Sequence, residues 1–187
     1  MRHELRRKFV HFLLGSSFVV LVVLFGVTTA MGIVAAWLAI GTAASILIKK
    51  GYKIPLFYSA MSRFQRMSER HFPGRGAMLL FIGSLLTMLL FRDCEPIVLG
   101  GLIVSAFGDA ASTLVGIKWG KIRILRGKTL EGTIAGILLS VLLLQIFLGW
   151  EIALIAATAG MLAEYIPKID DNITIPIVTA CVLTLLL

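Results

Sequence analysis

Cysteine is scarce. The two present, Cys94 and Cys181, form no C-x-x-C pair, so neither a zinc site nor a disulfide framework is indicated. No long internal repeat and no low-complexity tract appears, which argues against an inverted-repeat transporter. Acidic residues are few, 10 against 18 Lys and Arg, for a net charge of +8. In a soluble protein that excess would point to nucleic acid. Here the charges lie between apolar runs, so membrane topology accounts for them and no nucleic-acid partner is expected.

What the chain has in quantity is apolar sequence. Its 187 residues are 58% hydrophobic, with a mean hydropathy of +0.96. Several runs approach the roughly 17–25 residues that cross a bilayer. The pattern predicts an all-α fold, a polytopic transmembrane helical bundle, with residues 1–187 forming one integral membrane domain. Seven candidate spans stand out, at 9–27, 29–48, 76–91, 96–115, 133–150, 151–165 and 173–187. The third, sixth and seventh are short. At 1.5 Å per residue, fifteen residues reach only about 22 Å against a hydrocarbon core of about 30 Å. A re-entrant last segment would leave six, so six or seven spans are expected. The basic start followed by an apolar run imitates a signal peptide. The run is longer than such a segment needs, and it reads as a retained first helix.

If the chain alternates across the bilayer, every Lys and Arg except Arg92 falls on one side. Those residues begin with Arg2, Arg6, Arg7 and Lys8 and end with Lys168. The positive-inside rule makes that side, and the N-terminus, cytoplasmic. Within the longest connection Phe57, Met61, Phe64 and Met67 recur at helical spacing, with Arg63, Arg66 and Arg70 on another face. An interfacial helix over about 55–71 is predicted, either a surface anchor in the membrane lipids or a grip for a phosphate or headgroup.

Three polar features share the cytoplasmic face. Asp109 lies near the end of the fourth span, with Ser105, Ser112 and Thr113 on its side of a regular helix. A charged Asp costs about 2.5–3.5 kcal/mol at a helix centre and less near the interface. It is either hydrogen-bonded packing glue or an ion or metal ligand. Gly108, Ser112, Gly116 and Gly120 form a ladder of small residues, repeated by Gly132 and Gly136, which serves tight helix packing or a close approach of backbone to ligand. The loop from Gly116 to Thr133 carries five basic residues and one acid, Glu131. It is not a Walker site, since Ile122 stands where the first glycine belongs. Thr129 is placed to cap the fifth helix beside Lys128, and the pair is either an anion site or an ordinary positive loop. Finally, Glu164, Asp170 and Asp171 make the one cytoplasmic connection that is not net positive. They are candidate Mg²⁺ ligands or a solvated turn, with Asn172 or Thr174 capping the next helix. Metal-binding acids, phosphate-binding bases and an apolar body together fit phosphoryl or nucleotidyl transfer to a membrane-embedded acceptor.

The sequence Gly108-Asp109-Ala110-Ala111, then Gly116, Gly120-Lys121, Lys128-Thr129, Glu131-Gly132-Thr133, and later Glu164, Asp170-Asp171-Asn172, Thr174 and Pro176, resembles the signature of the dolichol kinase and phytol kinase family. Members often carry proline or a second lysine before the Lys-Thr pair, where this chain has Arg126-Gly127. The resemblance implies a CTP-dependent lipid kinase. Its phosphate acceptor would be a polyprenol or related lipid alcohol such as dolichol, phytol or diacylglycerol. The family is related to the phosphatidate cytidylyltransferases. A cytidylyltransferase acting on a lipid phosphate is therefore the first alternative and an ion-coupled transporter the second. Carried over residue by residue, Asp109 and Glu131 are the expected catalytic residues. Ser112, Lys121, Lys128 and Thr129 would bind the nucleotide phosphates. Asp109, Asp170 and Asp171 would hold Mg²⁺.

Overall fold

The computed structural model describes residues 2–52, 74–125 and 127–187. The predicted interfacial helix over about 55–71 lies outside them. Among the described residues the fold is all-helical, without a strand. In chain order the elements are α1 (Arg2–Lys49), α2 (Arg75–Leu90), α3 (Glu95–Ile103), a π turn (Val104–Gly108), α4 (Asp109–Trp119), α5 (Leu130–Leu148), α6 (Trp150–Leu162), a 3-10 turn (Ala163–Tyr165) and α7 (Asp171–Leu186). Among the described residues three stretches are long and apolar enough to cross a membrane: Arg7–Lys49, Glu95–Trp119 and Leu130–Leu148. Arg75–Leu90 and Asp171–Leu186 are apolar but shorter.

The first stretch is not one rod. Gly26 has φ 76° and ψ 165°, far from helical values. Phe18 and Trp37, 19 positions apart, bring their ring centroids within 6.4 Å, whereas a straight helix would separate them by about 28 Å. The chain therefore folds back at Gly26 into two arms, as the separate runs 9–27 and 29–48 anticipated. The same device recurs at Gly149, with φ 75° and ψ 159°, between α5 and α6. This corner of backbone space is essentially restricted to glycine, so one residue suffices for each hairpin.

The α3 helix is the buried centre. Ile97, Ile103 and Val104 pack into one apolar cluster with Leu144, Met161, Ile175 and Leu183 from α5, α6 and α7. Val98 and Leu102 face another, with Phe18, Val22, Val34, Leu80 and Met88 from α1 and α2. Outward faces stay apolar, as at Leu24, Leu138 and Ile146, the pattern of helices solvated by lipid rather than water.

Small residues bring the helices close. A β-carbon at Gly136 would lie 2.6 Å from Met161 Cε and 2.8 Å from the Gly108 carbonyl. At Gly132 it would lie 2.5 Å from the Ser112 carbonyl, and at Gly116 2.8 Å from Thr129 Oγ1. The glycine ladder is thus the α4–α5 and α5–α6 packing seam. Pro176 sits inside α7 and has no N–H for the Asn172 carbonyl. Gly83 of α2 presses against that carbonyl, so the space left by the proline is filled by a neighbouring backbone.

An alanine at Gly26 must adopt a conformation that costs about 1–3 kcal/mol. Gly26→Ala is therefore expected to lower the thermal midpoint in detergent. Gly32→Ala, in open space at an ordinary helical φ, should not lower it. Equal midpoints for the two variants would show that the Gly26 hairpin is not strained by a side chain.

Candidate active site

The π turn sets the first acid. Its wider ring shifts the helix register by about one residue, and Asp109 is the first residue after it, with its N–H on the Val104 carbonyl. The regular helix assumed for residues 105–113 is therefore interrupted at the one carboxylate it carries. Asp109 is 4% exposed.

The second acid is set by a cap. Asp170 precedes α7, and its Oδ1 accepts from Asn172 N at 3.1 Å and from Asn172 Nδ2 at 2.7 Å. The cap is Asp170, not Asn172 or Thr174 as the sequence suggested. Thr174 instead donates to the Ala163 carbonyl at 3.2 Å. That bond ties the first turn of α7 to the 3-10 turn and brings Asp171 beside Glu164. Tyr165 of the same turn shares a 2.6 Å hydrogen bond with Thr133 of α5.

The cation is set by a small hairpin. Ile124 N donates to the Lys128 carbonyl at 2.9 Å, and Leu130 N to the Ile122 carbonyl at 2.9 Å. The turn closes through Lys128 N to the Leu125 carbonyl at 3.1 Å. Thr129 caps α5 by accepting from Gly132 N at 3.2 Å. Lys128 is thereby held at the mouth of the bundle, with its side chain pointing in.

There it meets all three acids. Lys128 Nζ lies 3.0 Å from Glu164, 3.4 Å from Asp171 and 3.5 Å from Asp109. A second ammonium, Lys8 of α1, pairs with Asp109 and lies 3.7 Å from Asp171. Burial alone would pull the Lys128 ammonium down. The charges of Asp109, Glu164 and Asp171 outweigh it and hold the pKa above the usual lysine range, so Lys128 stays charged at physiological pH. Asp170 stands behind Asp171, and burial together with the Asp171 charge pushes its carboxyl up.

Of the expected site residues, the structure brings Asp109, Lys128 and Asp171 together. It adds Lys8 and gives Glu164 a direct role. Ser112 is buried in the α4–α5 seam. Glu131 is half-buried and, among the described residues, makes no ion pair with the cluster. Its carboxylate accepts from the backbone N–H groups of Lys121 at 3.0 Å and Ile122 at 3.1 Å, fastening the hairpin to α5. Lys121 is exposed on that hairpin. Two of the backbone donors expected to grip a phosphate at the start of α5 have partners within the protein. Leu130 N–H is bonded to the Ile122 carbonyl and Gly132 N–H to Thr129 Oγ1. These donors are already spent within the protein. Among the described residues no group of three or more His, Cys, Asp or Glu is arranged to cage a metal ion. In the sequence Lys8 reads only as a topological charge. The sequence signal that could have singled it out is its place one residue before the first apolar run.

Comparison with known proteins adds a lineage. No protein-family model matches the chain, and no solved structure matches it. An uncharacterized protein of Methanocaldococcus jannaschii is 30% identical over 184 residues, covering 96% of this chain and 92% of that protein. The chain belongs to that protein's family. A probable chloroplastic phytol kinase of Triticum aestivum is 29% identical over 209 aligned residues, covering all of this chain and 68% of that protein. The chain is thus also a distant homologue of a phytol kinase.

Among the described residues two ammonium groups face three carboxylates, so removing a lysine leaves a deeper imbalance than removing an acid. Lys128→Met is expected to destabilise the fold by about 3–5 kcal/mol, the range for breaking a buried pair. Adding Glu164→Gln should recover part of that loss, with a coupling energy of at least about 1 kcal/mol in detergent-titrated unfolding. Additive single effects would remove the pair from the account.

Proposed function

We propose that this protein is a lipid kinase that moves the γ-phosphate of CTP to the hydroxyl of a membrane-embedded lipid alcohol, a polyprenol or a relative of one. The observation that carries the reading is the meeting of Asp109, Lys128 and Asp171 at one end of an apolar helical bundle, from segments up to 62 positions apart. The distant phytol kinase homologue supports the acceptor class. The choice of CTP as donor rests on the signature resemblance of Gly108–Pro176. The placement of basic residues argues for a cytoplasmic mouth, where nucleotides are found.

The residues suit the chemistry asked of them. Phosphoryl transfer needs positioning and charge compensation more than covalent help from the protein. Lys8 and Lys128 are amines aimed at one point, able to take phosphate oxygens. Mg²⁺ accepts hard oxygen donors, needs only one or two protein carboxylates and keeps water on its other positions. Asp109 and Asp171 fit that demand, because both carboxylates face the same two ammonium groups, within 3.7 Å. When bound, the ion would neutralise charge on the triphosphate. The lysines that now balance the carboxylates would then be released toward the phosphates. In the transfer the lipid oxygen bonds to the γ-phosphorus in line, the bond from that phosphorus to the β-phosphate oxygen breaks, CDP leaves, and the hydroxyl proton is lost.

The test uses purified protein in detergent–lipid micelles, CTP labelled at the γ- or the α-phosphate, and a panel of prenyl alcohols, with ATP as control donor. The γ-label alone should enter lipid, and only with CTP. Transfer of the α-label into a lipid phosphate would establish a cytidylyltransferase instead. Asp109→Asn leaves two lysines against two carboxylates, a balanced cluster, so it should fold with an unchanged thermal midpoint. Its turnover should fall at least about 100-fold. An active Asp109→Asn enzyme would take Asp109 out of the site.

A further inference from the structure

One turn along α1 from Lys8, on the same side of the helix, stands His11. It is 6% exposed. Its Nδ1 lies 3.1 Å from the backbone carbonyl of Arg7. A carbonyl oxygen only accepts, so Nδ1 carries the ring proton and donates. In the neutral ring Nε2 is then a lone pair. Nε2 is buried and has no hydrogen-bond partner among the described residues. A buried acceptor without a donor is costly, so a ligand that brought a donor here would be favoured.

The neighbours of His11 locate that place. The first arm of α1 runs along the π turn. Lys8 pairs with Asp109, Phe12 meets Phe107 edge-on at 5.2 Å between centroids, and Gly15 packs on Ala106. His11 lies between these contacts, about 4.5 Å of helix rise beyond Lys8, on the way into the apolar interior. It feels the charges of both Lys8 and Asp109. The ion cluster is thus on its polar side and hydrocarbon on the other. A phosphate would reach the cluster from the aqueous side, and the end of a lipid chain from the hydrocarbon side.

We propose that His11 Nε2 is the subsite for the acceptor hydroxyl, accepting a hydrogen bond from the primary alcohol of the lipid and pointing its oxygen at the ion cluster. This inference rests on the kinase reading and deepens it. The tautomer selects the ligand. Nε2 requires a donor, which an alcohol supplies. A fully ionised lipid phosphate offers acceptors only and would leave Nε2 unpaired.

Two variants and one spectrum test it. His11→Leu removes the acceptor, and His11→Gln keeps an oxygen able to accept. His11→Leu should lower kcat/KM for the lipid alcohol at least about 10-fold while the KM for CTP holds. His11→Gln should recover a measurable part of the loss. Unchanged kcat/KM in His11→Leu overturns the proposal. So does a loss shared equally by the KM for CTP, without rescue by Gln, which is what a merely structural residue would give. The spectrum does not depend on turnover. In a His3→Gln/His71→Gln protein with ¹⁵N-labelled imidazole, His11 is the sole histidine. A twenty-carbon prenyl alcohol should move the Nε2 resonance upfield, as hydrogen bonding does to a lone-pair nitrogen, and the matching hydrocarbon should not. A resonance indifferent to the alcohol overturns the proposal. If the enzyme transferred no phosphate but the resonance still moved, the kinase reading would fail and the alcohol subsite would stand.

Discussion

Everything at the polar end of this protein depends on charge compensation at the edge of an apolar medium. Asp109 and Glu164 are almost wholly buried, and an isolated carboxylate in such surroundings would be prohibitively costly. Lys8 and Lys128 make their burial tolerable. Each lysine reaches more than one acid, so the cluster is a network rather than a set of pairs. The first arm of α1, the π turn, the hairpin, the 3-10 turn and the start of α7 meet because those charges leave them little alternative. Beyond that end, the bundle is held by close packing of small and aliphatic side chains, which in lipid replaces the hydrophobic drive available in water.

Those two regimes explain why some of the molecule was legible in sequence and some was not. Helical runs follow from composition and length, and the apolar runs read from hydropathy fall on helices in the structure. The glycine seam followed from four-residue spacing, since Gly108, Gly132 and Gly136 fall on faces that meet another backbone. Thr129 as a cap was likewise readable, because capping is decided by the residues on either side of it. The ion cluster is different in kind. Lys8 and Asp109 are 101 positions apart, and the one local mark of Lys8, its place directly before the first apolar run, names no partner. Only the tertiary path of α1 along the π turn selects it.

The π turn and Glu131 show a second limit. Periodicity assumes one helical pitch, and a single widened turn at Val104–Gly108 changes which residues share a face. Ser105 and Asp109 cannot be aligned by a four-residue rule across it. Glu131 is a catalytic candidate through the signature resemblance. Its carboxylate is consumed by two backbone N–H groups, a demand set by the hairpin's own unpaired donors. The same demand occupies two donors at the start of α5. Two donors exposed in a schematic helix are taken here by Ile122 and Thr129.

What remains after that accounting is economical. The hairpin spends Glu131 and Thr129 on holding itself to α5, which leaves Lys128 as its single contribution to the cluster. The turn before α7 spends Asp170 on the cap, which frees Asp171 to face the lysines. In each pair of adjacent polar residues, one builds and its neighbour is presented. A signature block therefore mixes two kinds of residue that sequence alone treats alike. Lys128 and Asp171 stand opposite charge and can exchange their partners for a ligand. Thr129 and Asp170 are bonded to backbone and cannot let go without unravelling the helix that places them. On that physical distinction, the residues available for chemistry are those whose present partners are other side chains of the cluster.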